Sequence, residues 1–128
     1  MKKTFFTNDE IAVLTKVLGN KLQVSVNKAG NVKVVNNAEP KTKRYCFSGH
    51  GFWTLYKYAD GTFLWRRHDG TGYCYPLNMK GRTETTVNHF GINYTYKPYN
   101  VSMSIFKTFD EALNYFVNYL EKYRGIKL

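Results

Sequence analysis

The side chains of this chain that come first into question for acid–base, nucleophilic or metal-binding chemistry are three histidines, His50, His68 and His89, two thiols, Cys46 and Cys74, and the run Arg66-Arg67-His68-Asp69, set among 11 tyrosines. Cleavage of RNA needs only a general base, a general acid and cations that steady the phosphorane, and His, Tyr and Arg can supply all three. No fixed spacing ties these residues into such a set, so no catalytic residue is assigned. Cys46 and His50 are separated by three residues and His68 and Cys74 by five, which is chemically compatible with zinc. Two-ligand groups at such separations arise readily by chance, and small thiols within an aromatic core explain both cysteines more simply. No metal and no cofactor is expected. Gly49-His50-Gly51 and Gly70-Thr71-Gly72 lack the lysine and helix that follow a phosphate loop, and both read as turns.

A different chemistry, stacking combined with charge, is concentrated in Phe52 to Asp69, FWTLYKYADGTFLWRRHD. Two aromatic-rich runs flank Asp60-Gly61, a pattern that predicts a β-hairpin closed by a two-residue type I′ turn. That turn pairs Tyr58 with Phe63, Tyr56 with Trp65, Thr54 with Arg67 and Trp53 with His68. One face then carries Phe52, Tyr56, Tyr58, Phe63, Trp65 and Arg67, and the other Trp53, Leu55, Lys57, Leu64, Arg66 and His68. Aromatic rings stack on unpaired bases for about 1–3 kcal/mol each, and neighbouring cations hold phosphates, so either face offers what a single-strand surface requires. A covering helix needs an apolar face. The more aromatic one is therefore the expected core, leaving Trp53, Lys57, Arg66 and His68 for contact, with Arg67 at the hairpin's end. Lys41, Lys43 and Arg44 form an electrostatic accessory that neutralises phosphates without reading sequence.

Charge across the whole chain points the same way. Lys and Arg total 19 against 9 acids, and the net charge of +10 attracts nucleic acid, anionic lipid or an acidic protein surface. Lys21 to Arg44 holds six basic residues against Glu39 alone, which is half of that excess. The plain alternative is a solvated face that keeps the protein in solution. The opening MKKTFF resembles the start of a signal peptide, but Asn8, Asp9 and Glu10 end its apolar run after two phenylalanines. With no transmembrane run and two cysteines outside any disulfide framework, the expected compartment is a reducing cytoplasm and no membrane partner is expected. The abundance of Lys, Asn, Tyr and Phe suits an AT-rich genome, such as that of a low-GC bacterium or its phage, and the expected origin is a phage or mobile element.

These residues must be positioned by elements that the sequence also marks. A chain of 128 residues, 43% hydrophobic and 17% aromatic, forms one ordinary domain with ample core, residues 1–128, with a minor seam at 36–43 after an N-terminal αββ unit. Thr7-Asn8-Asp9-Glu10 is a capping box that opens a helix with Ile11, Leu14, Val17 and Leu18 on one stripe, and Gly19 is expected to close it in a left-handed conformation. Leu22 to Val34 alternates about a turn at Asn27 to Asn31. Tyr45 to Phe47 reads as a short strand and Ser48 to Gly51 as a turn. After the central hairpin, Tyr73 to Tyr75 returns and Pro76 edges it. Thr83 to Val87, Ile92 to Tyr96 and Val101 to Lys107 supply further strands, with a turn at Lys97 to Asn100. Thr108-Phe109-Asp110-Glu111 caps a long C-terminal helix whose stripe is Ala112, Leu113, Phe116, Val117 and Leu120, closed by Gly125. The expected fold is α+β: an antiparallel sheet of several hairpin-connected strands, a short N-terminal helix and a long amphipathic C-terminal helix packed on the sheet.

Ser104 to Ala112, a strand running into a capped helix, resembles the end of small sheet-plus-helix DNA-binding modules of the integrase-arm and AP2 type. The likeness is local, and the preceding strands add no motif to it. It implies that the sheet face opposite the helix meets nucleic acid. The leading expectation is a small basic protein that binds nucleic acid, single strands favoured, or a nucleoprotein. The alternative is an inhibitor or adaptor of phage type that docks on a host protein in counter-defence. A ribonuclease-like toxin drawing on His50, His68 and His89 is the second alternative.

Overall fold

Thr7 and Thr108 open the two helices by the same device. Thr7 Oγ1 accepts from the Glu10 backbone N–H at 3.2 Å, and Glu10 Oε1 accepts from the Thr7 N–H at 2.8 Å. This reciprocal pair satisfies donors that a helix start otherwise leaves orphaned. The helix that follows, α1, runs Asn8–Leu18 and buries Leu14 and Leu18. Thr108 Oγ1 likewise accepts from Glu111 N–H, and α2 runs Phe109–Arg124 with Ala112, Leu113, Phe116 and Leu120 buried. Gly125 closes α2 in the left-handed conformation at φ 66°, as its place after the last turn requires. Gly19 closes α1 differently. Its φ is −68°, so handedness is not what demands glycine there. A Cβ at this position would lie 2.2 Å from the Thr15 carbonyl oxygen, and close approach is the reason.

The computed structural model describes residues 2–39, 42–44, 47–70, 74–77, 85–96 and 105–128. An antiparallel sheet has the order β1 (Gln23–Val26), β2 (Val32–Val35), β5 (Phe52–Lys57), β6 (Phe63–His68) and β10 (Ile105–Phe106), with β7 (Cys74–Pro76) also paired to β6. Two further pairs stand apart from this sheet: β3 (Thr42–Arg44) with β4 (Phe47–Gly49), and β8 (Thr85–His89) with β9 (Ile92–Tyr96). Ser48 and Gly49 are thus strand residues and not the turn their composition predicts. The expected turns at Thr71-Gly72 and Lys97 to Asn100, and the strand at 101–104, lie outside the described residues. The architecture is α+β, with both helices contributing to one core against one side of the sheet.

The central hairpin forms with a register one residue away from the expected one. Leu55 pairs with Trp65, Trp53 with Arg67 and Phe52 with His68. The cause is the loop. Tyr58 N–H donates to Thr62 O and Gly61 N–H to Tyr58 O, so three residues, Ala59 to Gly61, make the turn. Positive φ falls on Gly61, at 86°, and not on Asp60, whose carboxylate instead accepts from the Thr62 N–H at 3.0 Å. A type I′ turn needs positive φ at both central residues, whereas a turn followed by one left-handed glycine makes a three-residue loop with a bulge. One extra loop residue rotates one strand's side chains to the opposite face relative to its partner's.

The face toward the helices is consequently Val32, Val34, Trp53, Leu55, Phe63, Trp65, Arg67 and Phe106, all of them buried. Phe116 of α2 lies between the two indoles. It stacks on Trp65 at 3.9 Å between centroids and meets Trp53 edge-on at 5.5 Å. Trp65 Nε1 donates to the Ala112 carbonyl at 2.9 Å, which gives its buried polar atom a partner on the helix.

Candidate functional site

The other side of the sheet collects what the corrected register leaves there: Lys33 and Val35 of β2, Phe52, Thr54 and Tyr56 of β5, Leu64, Arg66 and His68 of β6, Cys74 of β7 and Ile105 of β10. Two rows of contacts cross it. In the first, Lys33 Nζ sits 4.3 Å from the Phe52 ring centroid, and Phe52 stacks on His68 at 4.4 Å and 9° between planes. His68 Nε2 in turn lies 3.7 Å from Cys74 Sγ. In the second, Lys3 Nζ is 5.2 Å and Arg66 Cζ 5.9 Å from the Tyr56 centroid. Lys3 is brought there by the N-terminal segment, which pairs with the end of β5 through Thr4 N–H to Lys57 O and Ala59 N–H to Lys2 O. Lys33, Phe52, Tyr56, Arg66 and His68 are partly exposed, while Thr54 and Leu64 between them are buried. Arg66 Nε is buried with no hydrogen-bond partner among the described residues.

The electrostatics of this face are set by the cations Lys3, Lys33 and Arg66, with Asp69 acting on His68 and Cys74. Burial first, then the charges of Arg66, Lys33 and Arg67, hold the His68 imidazole below its ordinary 6.5, with Asp69 acting in the opposite sense. Burial likewise pushes the Cys74 thiol up, against the pull of Arg66. Both shifts favour the uncharged forms, imidazole and thiol. An activated nucleophile would show the reverse, a depressed thiol beside an imidazolium. Each cation sits over the face of its ring, a contact worth about 0.5–1 kcal/mol per exposed pair that leaves the charge itself available to an anion.

The corrected register splits the expected contact set. Trp53 is fully buried in the core, and Arg67 is 3% exposed on the same side, so neither is presented to solvent as the sequence had led us to expect. Arg67 Nη2 is ion-paired with Glu39 Oε1, which also lies 3.3 Å from Arg124 Nη1, and both guanidinium groups lie over the Trp53 ring. Glu39 thus ties the segment that follows β2 to the sheet and to α2. Lys57 belongs to the same side, with its Nζ 2.6 Å from Glu10 Oε1 of α1, so it too serves the fold. Arg66 and His68 are the members of the set that reach the open face. Lys41 lies outside the described residues, as does Cys46; Lys43 and Arg44 are on β3, paired with Ser48 and Phe47.

His50 Nδ1 lies 2.6 Å from the Glu39 carbonyl oxygen, and His89 is on β8 opposite Ile92. No group of three potential metal ligands occurs among the described residues, and none of the helices there is long and apolar enough to cross a membrane. Sequence reasoning missed Lys3 altogether and counted Lys33 only toward a diffuse basic excess. Phe52 and Tyr56 were seen but placed on the covered side. No family model, curated protein or solved structure matches this chain, so its local likeness to sheet-plus-helix DNA-binding modules rests on the strand-into-capped-helix pattern alone.

Proposed function

We propose that the protein binds nucleic acid, single strands in preference, on the sheet face opposite its helices, with Lys33, Arg66 and His68 holding phosphates and Phe52 and Tyr56 stacking on bases. The observation that carries this reading is the pair of cation–aromatic rows, Lys33–Phe52–His68 and Lys3–Tyr56–Arg66, on a partly exposed face. Rings flanked by cations suit a polyanion whose bases are unstacked, because each ring replaces a neighbouring base and each cation releases a counterion. The overall +10 charge supports it by drawing such a ligand in. Lys43 and Arg44 on β3, with Lys41, extend the attraction. No catalytic step is part of this proposal.

Fluorescence anisotropy of a labelled single-stranded oligonucleotide across a salt series tests it. Arg66→Ala and Lys33→Ala are each expected to weaken binding and to reduce the log Kd against log salt slope by about 0.7. Tyr56→Ala and Phe52→Ala are expected to weaken it by about 1–3 kcal/mol with the slope unchanged. Absence of binding at low salt would remove the proposal.

A further inference from the structure

Alternation along β5 puts Phe52, Thr54 and Tyr56 on the face opposite the helices. Strand rise separates the two rings by about 13 Å. Thr54 between them is 3% exposed and offers no ring. Its neighbours across the sheet are Lys33 on β2 and Arg66 on β6, so one cation stands on each flank of the gap. The face therefore reads, along β5, as a ring, a gap between two cations and a second ring. Stacked bases follow one another at about 3.4 Å per nucleotide, which would put about four nucleotides in that span with no opening for a protein ring. A strand pulled out of its stack extends to roughly twice that rise, and two steps then cover the span.

The contacts within the two rows are compatible with such a ligand. Phe52 is held by its stack on His68, while Lys33 Nζ, 4.3 Å from the Phe52 centroid, and Lys3 Nζ, 5.2 Å from that of Tyr56, sit at the ends of flexible stems. Drawing an ammonium to a phosphate uncovers the part of the ring it occupied and leaves the Phe52–His68 stack in place.

We propose that the ligand of this face is a single strand of three or more nucleotides bound through alternate bases. The first and third bases stack on Phe52 and Tyr56, the two phosphates between them meet Lys33 and Arg66, and the middle base turns away over Thr54. The inference rests on the function proposed above and adds to it a minimum length and a spacing. It also gives the preference for single strands a physical reason, because a duplex does not open two unstacked base faces about 13 Å apart while it stays paired.

Competition by short thymidine oligomers against a labelled single-stranded oligonucleotide at low salt tests the spacing. A trinucleotide is expected to compete about ten- to a hundredfold better than a dinucleotide carrying a terminal phosphate, which matches it in phosphate number. An abasic middle position is expected to leave the trinucleotide within about twofold of the intact one, whereas an abasic first or third position weakens it about ten- to a hundredfold. In Tyr56→Ala one of those two end positions is expected to lose its effect, which fixes the direction of the strand on β5. Equal competition by the dinucleotide, or a middle abasic position as costly as an end, overturns the alternate-base spacing and leaves the sheet-face reading standing. End positions that both keep their full effect in Tyr56→Ala overturn it as well. A wild type that binds no oligonucleotide at low salt overturns the sheet-face reading and the spacing together.

Discussion

His68 is the residue on which fold and ligand make opposite demands. Burial and three neighbouring cations keep its folded pKa below the ordinary 6.5, so beneath that value the unfolded chain binds a proton that the folded chain does not. Stability therefore falls as pH drops through the window below 6.5 and is restored above it. His68→Gln is expected to flatten that part of a denaturant-midpoint profile. A phosphate beside His68 favours the imidazolium, so oligonucleotide affinity is expected to rise between pH 7.5 and 5.5, and the same variant removes the part of that rise due to His68. Cys74, with its thiol held up by burial, is expected to alkylate more slowly than an unfolded control at pH 8 in a Cys46→Ser background. On the covered side, Trp53→Ala is expected to cost about 3–5 kcal/mol of stability, because it empties a fully buried site. Its effect on binding would then report unfolding. Glu39→Gln leaves Arg67 buried without its counter-charge and is expected to cost about 3 kcal/mol or more in urea denaturation. Adding Arg67→Met to it is expected to recover much of that loss.

Among the elements, the helices were legible in the sequence and the hairpin register was not. Capping is local: Thr7 with Glu10, Thr108 with Glu111 and Gly125 after the last turn each act within a few residues, and all appear where their types and spacing placed them. Register is decided by loop length, and Asp60-Gly61 fits either a two-residue or a three-residue turn. Local pattern does not distinguish them, yet the difference exchanged Trp53 for Phe52 and Tyr56 on the face that meets solvent. The candidate site was legible to the same extent, in kind and in Arg66 and His68 but not in its full membership. Lys3 reaches it only through pairing of the N-terminal segment with β5, a contact of long sequence separation. Gly61→Ala tests the loop. A Cβ there meets no atom within 4 Å, so the expected loss of about 1 kcal/mol in thermal or denaturant unfolding is the cost of left-handed φ alone. Gly51→Ala is expected to cost more, since its Cβ would lie 2.1 Å from Arg67 Nη2 and would push against the Glu39 pair.

At the scale of the molecule, two helices on one side of an antiparallel sheet leave the other side with rings set between the cations Lys3, Lys33 and Arg66. An antiparallel sheet can keep one face wet, which is what allows such a surface to exist without sacrificing the core. The most direct test of the account is an amide and side-chain NMR titration of the protein with a short single-stranded oligonucleotide at low salt. The predicted result is that shifts concentrate at Lys33, Phe52, Tyr56, Arg66 and His68 and fade as salt is raised. Shifts confined to the outer surface of α2, or none at all, would contradict it.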